Sequence, residues 1–333
     1  MSRARMRMLG RRGKWVGVAV GLLAALLGGW MMKGRQAPSR AGSAPVDVEP
    51  KRLEAHVRAL AETFRPRDHS SVENLDRAAA YIAAELTKAG ARVREEPFTV
   101  SGRGYRNVVG SYGPEAGPRI VVGAHYDAAG PYPGADDNAS GVAGMLELAR
   151  LLGSRAPAMR VDLVAFSLEE PPYFGSEQMG SAVHAAALKK DGVQVRAMMS
   201  LEMIGCFTDV KGSQRLPLPG MERIYPTTGN FIAVVGQPGE EELTRTIKGA
   251  MLAATDLGVE SINAPRSVPG VDLSDHASFW YHGFPAVMLT DTAFFRNPRY
   301  HTEDDTPDTL DYARMAKVVQ GVFGAVEALA AAR

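Results

Sequence analysis

The sequence carries a single cysteine, Cys206, among 333 residues. That excludes an internal disulfide and any thiolate cluster for a structural metal, so the core rests on burial alone. No internal repeat and no long low-complexity tract is present, and 45% hydrophobic with 23% charged residues is an ordinary globular balance. Bulk disorder is therefore excluded. Acidic residues are missing altogether before Asp47, whereas the first 40 residues hold nine of the 38 Lys and Arg. The remainder keeps 29 basic against 37 acidic residues, and a domain of that negative balance is not a nucleic-acid binder.

Arg3, Arg5, Arg7, Arg11, Arg12 and Lys14 precede an uncharged run from Trp15 to Met32. About 18 apolar residues just suffice to cross a hydrocarbon core as a helix. The run ends in Gly-Gly-Trp-Met-Met-Lys rather than an Ala-x-Ala-like cleavage site, which favours an uncleaved signal anchor over a removed signal peptide. The expected order is a basic cytoplasmic segment (1–14), one transmembrane helix (15–32), a Gly/Pro/Ser-containing linker (33–48) and a folded domain (49–333). Positive charge before the span places the N-terminus in the cytoplasm and the domain on the periplasmic or extracellular side.

From residue 51 onward, helical and strand patterns alternate. Leu53, Val57, Leu60 and Phe64 repeat at helical steps, as do the apolar positions from Leu75 to Leu86. Strands are expected at 92–100, 107–112, 120–124, 161–167, 195–204, 231–235 and 285–289, and helices at 142–152, 176–190, 240–255 and 308–331. Such alternation predicts an α/β three-layer sandwich: a mixed, mostly parallel central sheet flanked by helices. In such folds the chemistry lies on loops at the carboxyl ends of strands.

Those ends carry His125 and Asp127, then Asp136-Asp137-Asn138, then Glu169-Glu170, Glu202, and Tyr300-His301-Thr302. Singly, each has a bland reading: a surface histidine, an N-cap at Asp137 or Asn138, a solvated pair of glutamates. Jointly, imidazoles and carboxylates converging on one rim form a ligand set for divalent transition metals, with carboxylates able to bridge two ions. Paired acids beside an apolar strand also need a cation or an arginine partner.

In this order His-Tyr-Asp, Gly-Ala-Asp-Asp-Asn-Ala-Ser-Gly, Glu-Glu, Leu-Glu-Met-Ile-Gly, Ser-Asp-His and Tyr-His-Thr resemble the di-zinc aminopeptidase family of metallopeptidases, which also contains glutaminyl cyclases and glutamate carboxypeptidase relatives. The resemblance spans roughly residues 50–331. It implies two zinc ions per chain, the first held by His125 and Glu202, the second by Glu170 and His301, with Asp137 bridging. It makes Glu169 the general base, Asp127 the carboxylate that orients His125, and Asp275 of Ser274-Asp275-His276 a similar support for His301. Glu202 departs from the family pattern, which usually has Asp there; the extra methylene alters its reach at the first metal.

The resemblance further implies hydrolysis of peptides at a free N-terminus. Phe207, Tyr225, Phe294 and Phe295, in the irregular stretches 205–230 and 291–299, are candidates to line a side-chain pocket. Two alternatives remain: a one-zinc glutaminyl cyclase, and a non-catalytic relative of the fold. His56, His69 and His184 read as surface residues, and Cys206, Met198, Met199 and Met203 as packing.

Overall fold

The structure, a computed structural model, describes residues 46–331. The basic segment, the span at 15–32 and nearly all of the linker lie outside the described residues. No helix among the described residues is long and apolar enough to cross a membrane. Val46 and Val48 already pack against the core, and Gln320 and Arg150 donate to the carbonyls of Val46 and Asp47.

Eight strands form one sheet: β1 (Arg92–Val100), β2 (Arg103–Tyr112), β3 (Arg119–His125), β4 (Arg160–Phe166), β5 (Val195–Glu202), β6 (Phe231–Gly236), β7 (Gly258–Asn263) and β8 (Ala286–Thr290), in the order β1-β2-β4-β3-β5-β8-β6-β7. The four central strands β4, β3, β5 and β8 run parallel, while β1, β2 and β6 pair antiparallel with a neighbour. The helices are α1 (Pro50–Arg58), α2 (Val72–Lys88), α3 (Gly141–Ser154), α4 (Gly180–Lys190), α5 (Glu241–Ala254), α6 (His276–Tyr281) and α7 (Tyr312–Ala331). Both faces of the sheet are covered, so the central strands are apolar throughout and their side chains sort by parity. Ile120, Val122 and Ala124 of β3 join the core beneath α1, α2, α3, α5 and α7, whereas Val121 joins the smaller core beneath α4 and α6.

The expected three-layer, mixed sheet is present. Two elements were not anticipated, β7 and α6, and two helices start later than the sequence pattern suggests. Residues 171–179 form turns before α4, and a short 3-10 turn at Pro307–Thr309 precedes α7.

After β3 the chain crosses one face through α3 to β4, then crosses the other face through α4 to β5, on the far side of β3. This reversal opens a crevice at the carboxyl ends of β4, β3 and β5.

Gly123, two residues before the end of β3, lies under the ring of Phe166: a Cβ there would fall 2.2 Å from Cε2. The Phe166 ring is itself fully buried and edged against His184 and Phe279. Gly123→Ala is expected to lose about 1–3 kcal/mol in urea unfolding. Phe166→Leu should recover part of that loss in the double variant, and strictly additive losses would contradict the contact.

Candidate active site

His125 is the last residue of β3 and Glu202 the last of β5, so register alone brings both to the crevice. Glu169 and Glu170 follow β4 by three and four residues, and His301 lies on the loop after β8. Backbone strain gathers at these points. Leu168 (φ 63°), Met203 (φ 51°) and His301 (φ 56°) adopt left-handed conformations that non-glycine residues rarely hold unless their surroundings enforce it.

Asp137 is the centre of the site. Its Oδ1 is 3.3 Å from His125 Nε2 and its Oδ2 is 3.0 Å from His301 Nε2, so the two oxygens face two different imidazoles. On the His125 side Glu202 Oε2 is 3.4 Å from Nε2; on the His301 side Glu170 Oε2 is 3.3 Å from Nε2. Atoms about 2.0–2.1 Å from a tetrahedral zinc stand about 3.3 Å from one another, which is the spacing within each set. Both Nε2 atoms and Glu170 Oε1 are buried without a hydrogen-bond partner, as groups reserved for an ion would be. The residues fit two divalent cations, one per set, with Asp137 common to both. Glu169 Oε2 stands further back, 3.7 Å from His125 Nε2.

The charges agree with this reading. Burial and the neighbouring Asp137 push the Glu170 carboxyl up to about 7. Burial also pushes Glu169 well above the carboxylate range, with Glu202, Glu170 and Asp275 adding repulsion against the pull of His125. Asp137 goes the other way: burial opposes its charge, but His125 and His301 overcome it and hold the carboxyl below its usual range. His301, despite burial, is raised to about 10 by Asp137 and Glu170. A cluster that raises its acids and protonates its imidazoles is short of positive charge.

Asp127 does more than the sequence suggested. Its backbone carbonyl is 3.2 Å and its Oδ1 3.5 Å from His125 Nδ1, so both face the ring nitrogen, while the carboxylate also accepts the Glu169 and Glu170 amides at 3.1 Å each. Asp275 does not support His301. It is fully buried among His125, Glu202 and Asp127, whereas His301 stacks on Tyr300 with ring centroids 3.8 Å apart. The extra length of Glu202 is absorbed by Ser274 Oγ, which donates to Oε2 at 2.8 Å. Asn138 Oδ1 accepts the Gly141 amide at the start of α3, as a cap would, but its side chain also holds the end of β5: Oδ1 accepts the Met203 amide, and Nδ2 donates to the Leu201 carbonyl at 2.8 Å and to Glu202 Oε2 at 3.4 Å.

Several contributors had no sequence signal beyond their place near a motif. Asp305 accepts the Asp136 and Asp137 amides (3.0 and 3.1 Å) and so fixes the turn carrying the shared ligand. Tyr300 presents its phenol to the carboxylates, and burial followed by Asp137 and Glu170 raises its ionisation above the usual range. Asp136, Asp291 and Cys206 form another acid-rich group, but one whose oxygens are partnered from within the protein. All four carboxylate oxygens already accept N–H donors, from Gly205, Asn297, Cys206 and Ala293, and the Arg296 guanidinium lies beside them. Met198, Met199 and Met203 are core as expected. His56 and His184 are buried rather than on the surface, the first bonded to Tyr81 and the second to Glu96.

An apolar pocket adjoins Glu202 and Tyr300, lined in part by Tyr225, Phe294, Phe295 and Met221. Phe207 is not part of it; it packs on the main core with Arg296 over its ring.

Residues 107–326 match the model of peptidase family M28. The chain is 49% identical over 289 residues to the uncharacterized protein YfbL of Escherichia coli K12, covering 84% of this chain and 88% of that one. It is 29% identical over 301 residues to a probable leucine aminopeptidase of Arthroderma benhamiae, covering 85% and 75%. Its fold is similar to the zinc aminopeptidase BSAP of Bacillus subtilis (TM-score 0.68, 15% identity, 85% and 95% covered). It is likewise similar to a glutaminyl cyclase of Bacteroides thetaiotaomicron (TM-score 0.65, 20% identity, 85% and 99% covered). Two imidazoles that share one carboxylate on such a sheet, within a chain two thirds of which fits that family's model, place the protein in peptidase family M28 as a zinc metallopeptidase.

Proposed function

We propose that this protein is a membrane-anchored aminopeptidase that holds two zinc ions and removes residues from free peptide N-termini. The observation that carries the reading is the division of Asp137 between His125 and His301. His125, Glu202 and Asp137 would hold one ion; Glu170, His301 and Asp137 the other. When bound, the pair supplies a water of lowered pKa and a polarised scissile carbonyl. Glu169, set back from both sets and poorly solvated, takes the proton of the attacking water and passes it to the leaving amine. Asp127 keeps that side chain in place through the Glu169 amide. The apolar pocket beside Glu202 and Tyr300 receives the side chain of the departing residue, so bulky apolar N-terminal residues are the favoured substrates.

The complete His125 set favours this reading over a one-zinc cyclase, because it offers a second cation its own group of donors. The exported location rests on the basic start and the uncharged run at 15–32.

Three outcomes are expected. The full chain in mild detergent should release N-terminal Leu, Met or Phe from aminoacyl anilides and short peptides faster than Gly, Asp or Glu. Chelation should abolish release and zinc should restore it, whereas cyclisation of N-terminal Gln without peptide hydrolysis would favour the cyclase. Glu169→Gln should retain zinc, counted by elemental analysis, and lose turnover by about 10²–10⁴-fold; near-wild-type turnover removes Glu169 from the role. The full chain should sediment with membranes and be digested by protease added from outside the inner membrane. A form starting at Ala44 should not sediment, and its persistence in the membrane fraction would place the anchor elsewhere.

A further inference from the structure

Arg67 is among the most deeply buried residues of the protein, 1% exposed, in a loop between α1 and α2 to which no motif draws attention. Its guanidinium makes no hydrogen bond to a carboxylate. It donates instead to four backbone carbonyls: Nε to Tyr126 (3.0 Å), Nη1 to Leu60 and to Pro133 (3.0 Å), Nη2 to Gly134 (2.9 Å). The Arg67 carbonyl in turn accepts the Ala128 amide at 3.2 Å.

These acceptors are not scattered. Tyr126 lies between His125 and Asp127, and Pro133 and Gly134 open the turn that carries Asp137. One planar cation therefore grips both ends of the loop joining two parts of the ligand set, from below. The fit is close: Gly134 takes a left-handed φ of 57°, and a Cβ there would fall 3.1 Å from Arg67 Nη2 and 2.3 Å from the Asp137 carbonyl. A fork of fixed donors holds such acceptors at fixed spacing, which a lysine, a point charge on a flexible stem, does not.

We propose that Arg67 is a positioning residue for the metal centre. It sets the separation of His125 from Asp137, and thereby zinc affinity and turnover, without touching metal or substrate. The proposal rests on the two-zinc reading above. Charge and position make opposite predictions here, because Arg67 is a cation close to Asp127, Asp305, Asp137 and Glu170. Were its charge what mattered at the centre, removing it would make zinc bind more tightly. If it acts by position, removing it makes zinc bind more weakly.

The test is competitive zinc titration of the full chain in detergent, alongside steady-state kinetics at saturating zinc. Arg67→Met is expected to weaken zinc binding by about 10–100-fold, the usual effect of losing a group that orients ligands. Its kcat should fall at least tenfold while KM changes by less than about threefold, and Arg67→Lys should lie between Met and wild type. Leu86→Ala in α2, a core truncation with no contact to this loop, should lower the melting temperature and leave zinc affinity unchanged. Unchanged or tighter zinc binding in Arg67→Met, or equal weakening in Leu86→Ala, overturns the proposal. If Arg67→Met does not fold, Arg67→Lys decides, and wild-type zinc affinity in that variant overturns it. A wild-type chain that binds zinc but hydrolyses no peptide would defeat the proposed activity and leave the zinc comparison intact.

Discussion

Burial of negative charge is the constraint on which the rest of this structure depends. Asp137, Glu169, Glu170, Glu202 and Asp275 share one water-poor crevice with only two imidazoles in contact. A carboxylate taken out of water without compensation either binds a proton or acquires a positive partner. Arginines do stand near, but Arg67 spends its donors on carbonyls and Arg296 bonds Gln214 and Cys206. The compensation comes from protons, which burial drives onto Glu169 and Glu170, or from ions that the protein binds. That requirement explains why unpartnered nitrogens are tolerated at the centre of an otherwise well-bonded site.

The fold answers the constraint with backbone dipoles and not with more side-chain charge. Asp127 and Asp305 are buried acids too, yet each accepts two backbone amides, and each amide pair belongs to a ligand-bearing turn. The first ties the end of β3 to the end of β4; the second ties the loop after β8 to the turn before α3. These acids trade solvation for geometry. The left-handed residues Leu168 and His301 lie on these tied segments, while Met203 follows β5 with its amide held by Asn138 Oδ1.

What could be read from the sequence follows from how local each signal is. The central strands were legible because both their faces are buried, which turns them into continuous apolar runs ending in polar residues. His125, Glu169, Glu170 and Glu202 were legible because each sits at such an end or within four residues of it, whereas Asp137 and His301 lie 12 and 11 residues past theirs and were legible only through the motifs around them. β7 was not: Gly258–Asn263 mixes apolar with polar positions at the sheet edge, and α6 is six residues, too short for a helical period to show. His184 looked like a surface residue of α4 because the partner that buries it, Glu96, comes from β1, 88 positions earlier. Asp275 hydrogen-bonds to neither imidazole: both its oxygens are buried without a partner, and the charges around it are those of His125, Glu202 and Asp127. Proximity in a motif says that a residue is near the site, not which side of it the residue faces.

The two halves of the centre are built for different tasks. His125 is fully buried at the end of a central strand, with Glu202 fixed by Ser274 and the ring fixed by the Asp127 carbonyl. The side chain of His301 is 29% exposed, on a loop, and its main support is the stacked ring of Tyr300. The apolar pocket has Tyr300 and Glu202 in its wall and so adjoins both halves. In the proposed reading a peptide seats its terminal side chain in this pocket beside Glu202, between the buried half and the half that Tyr300 supports.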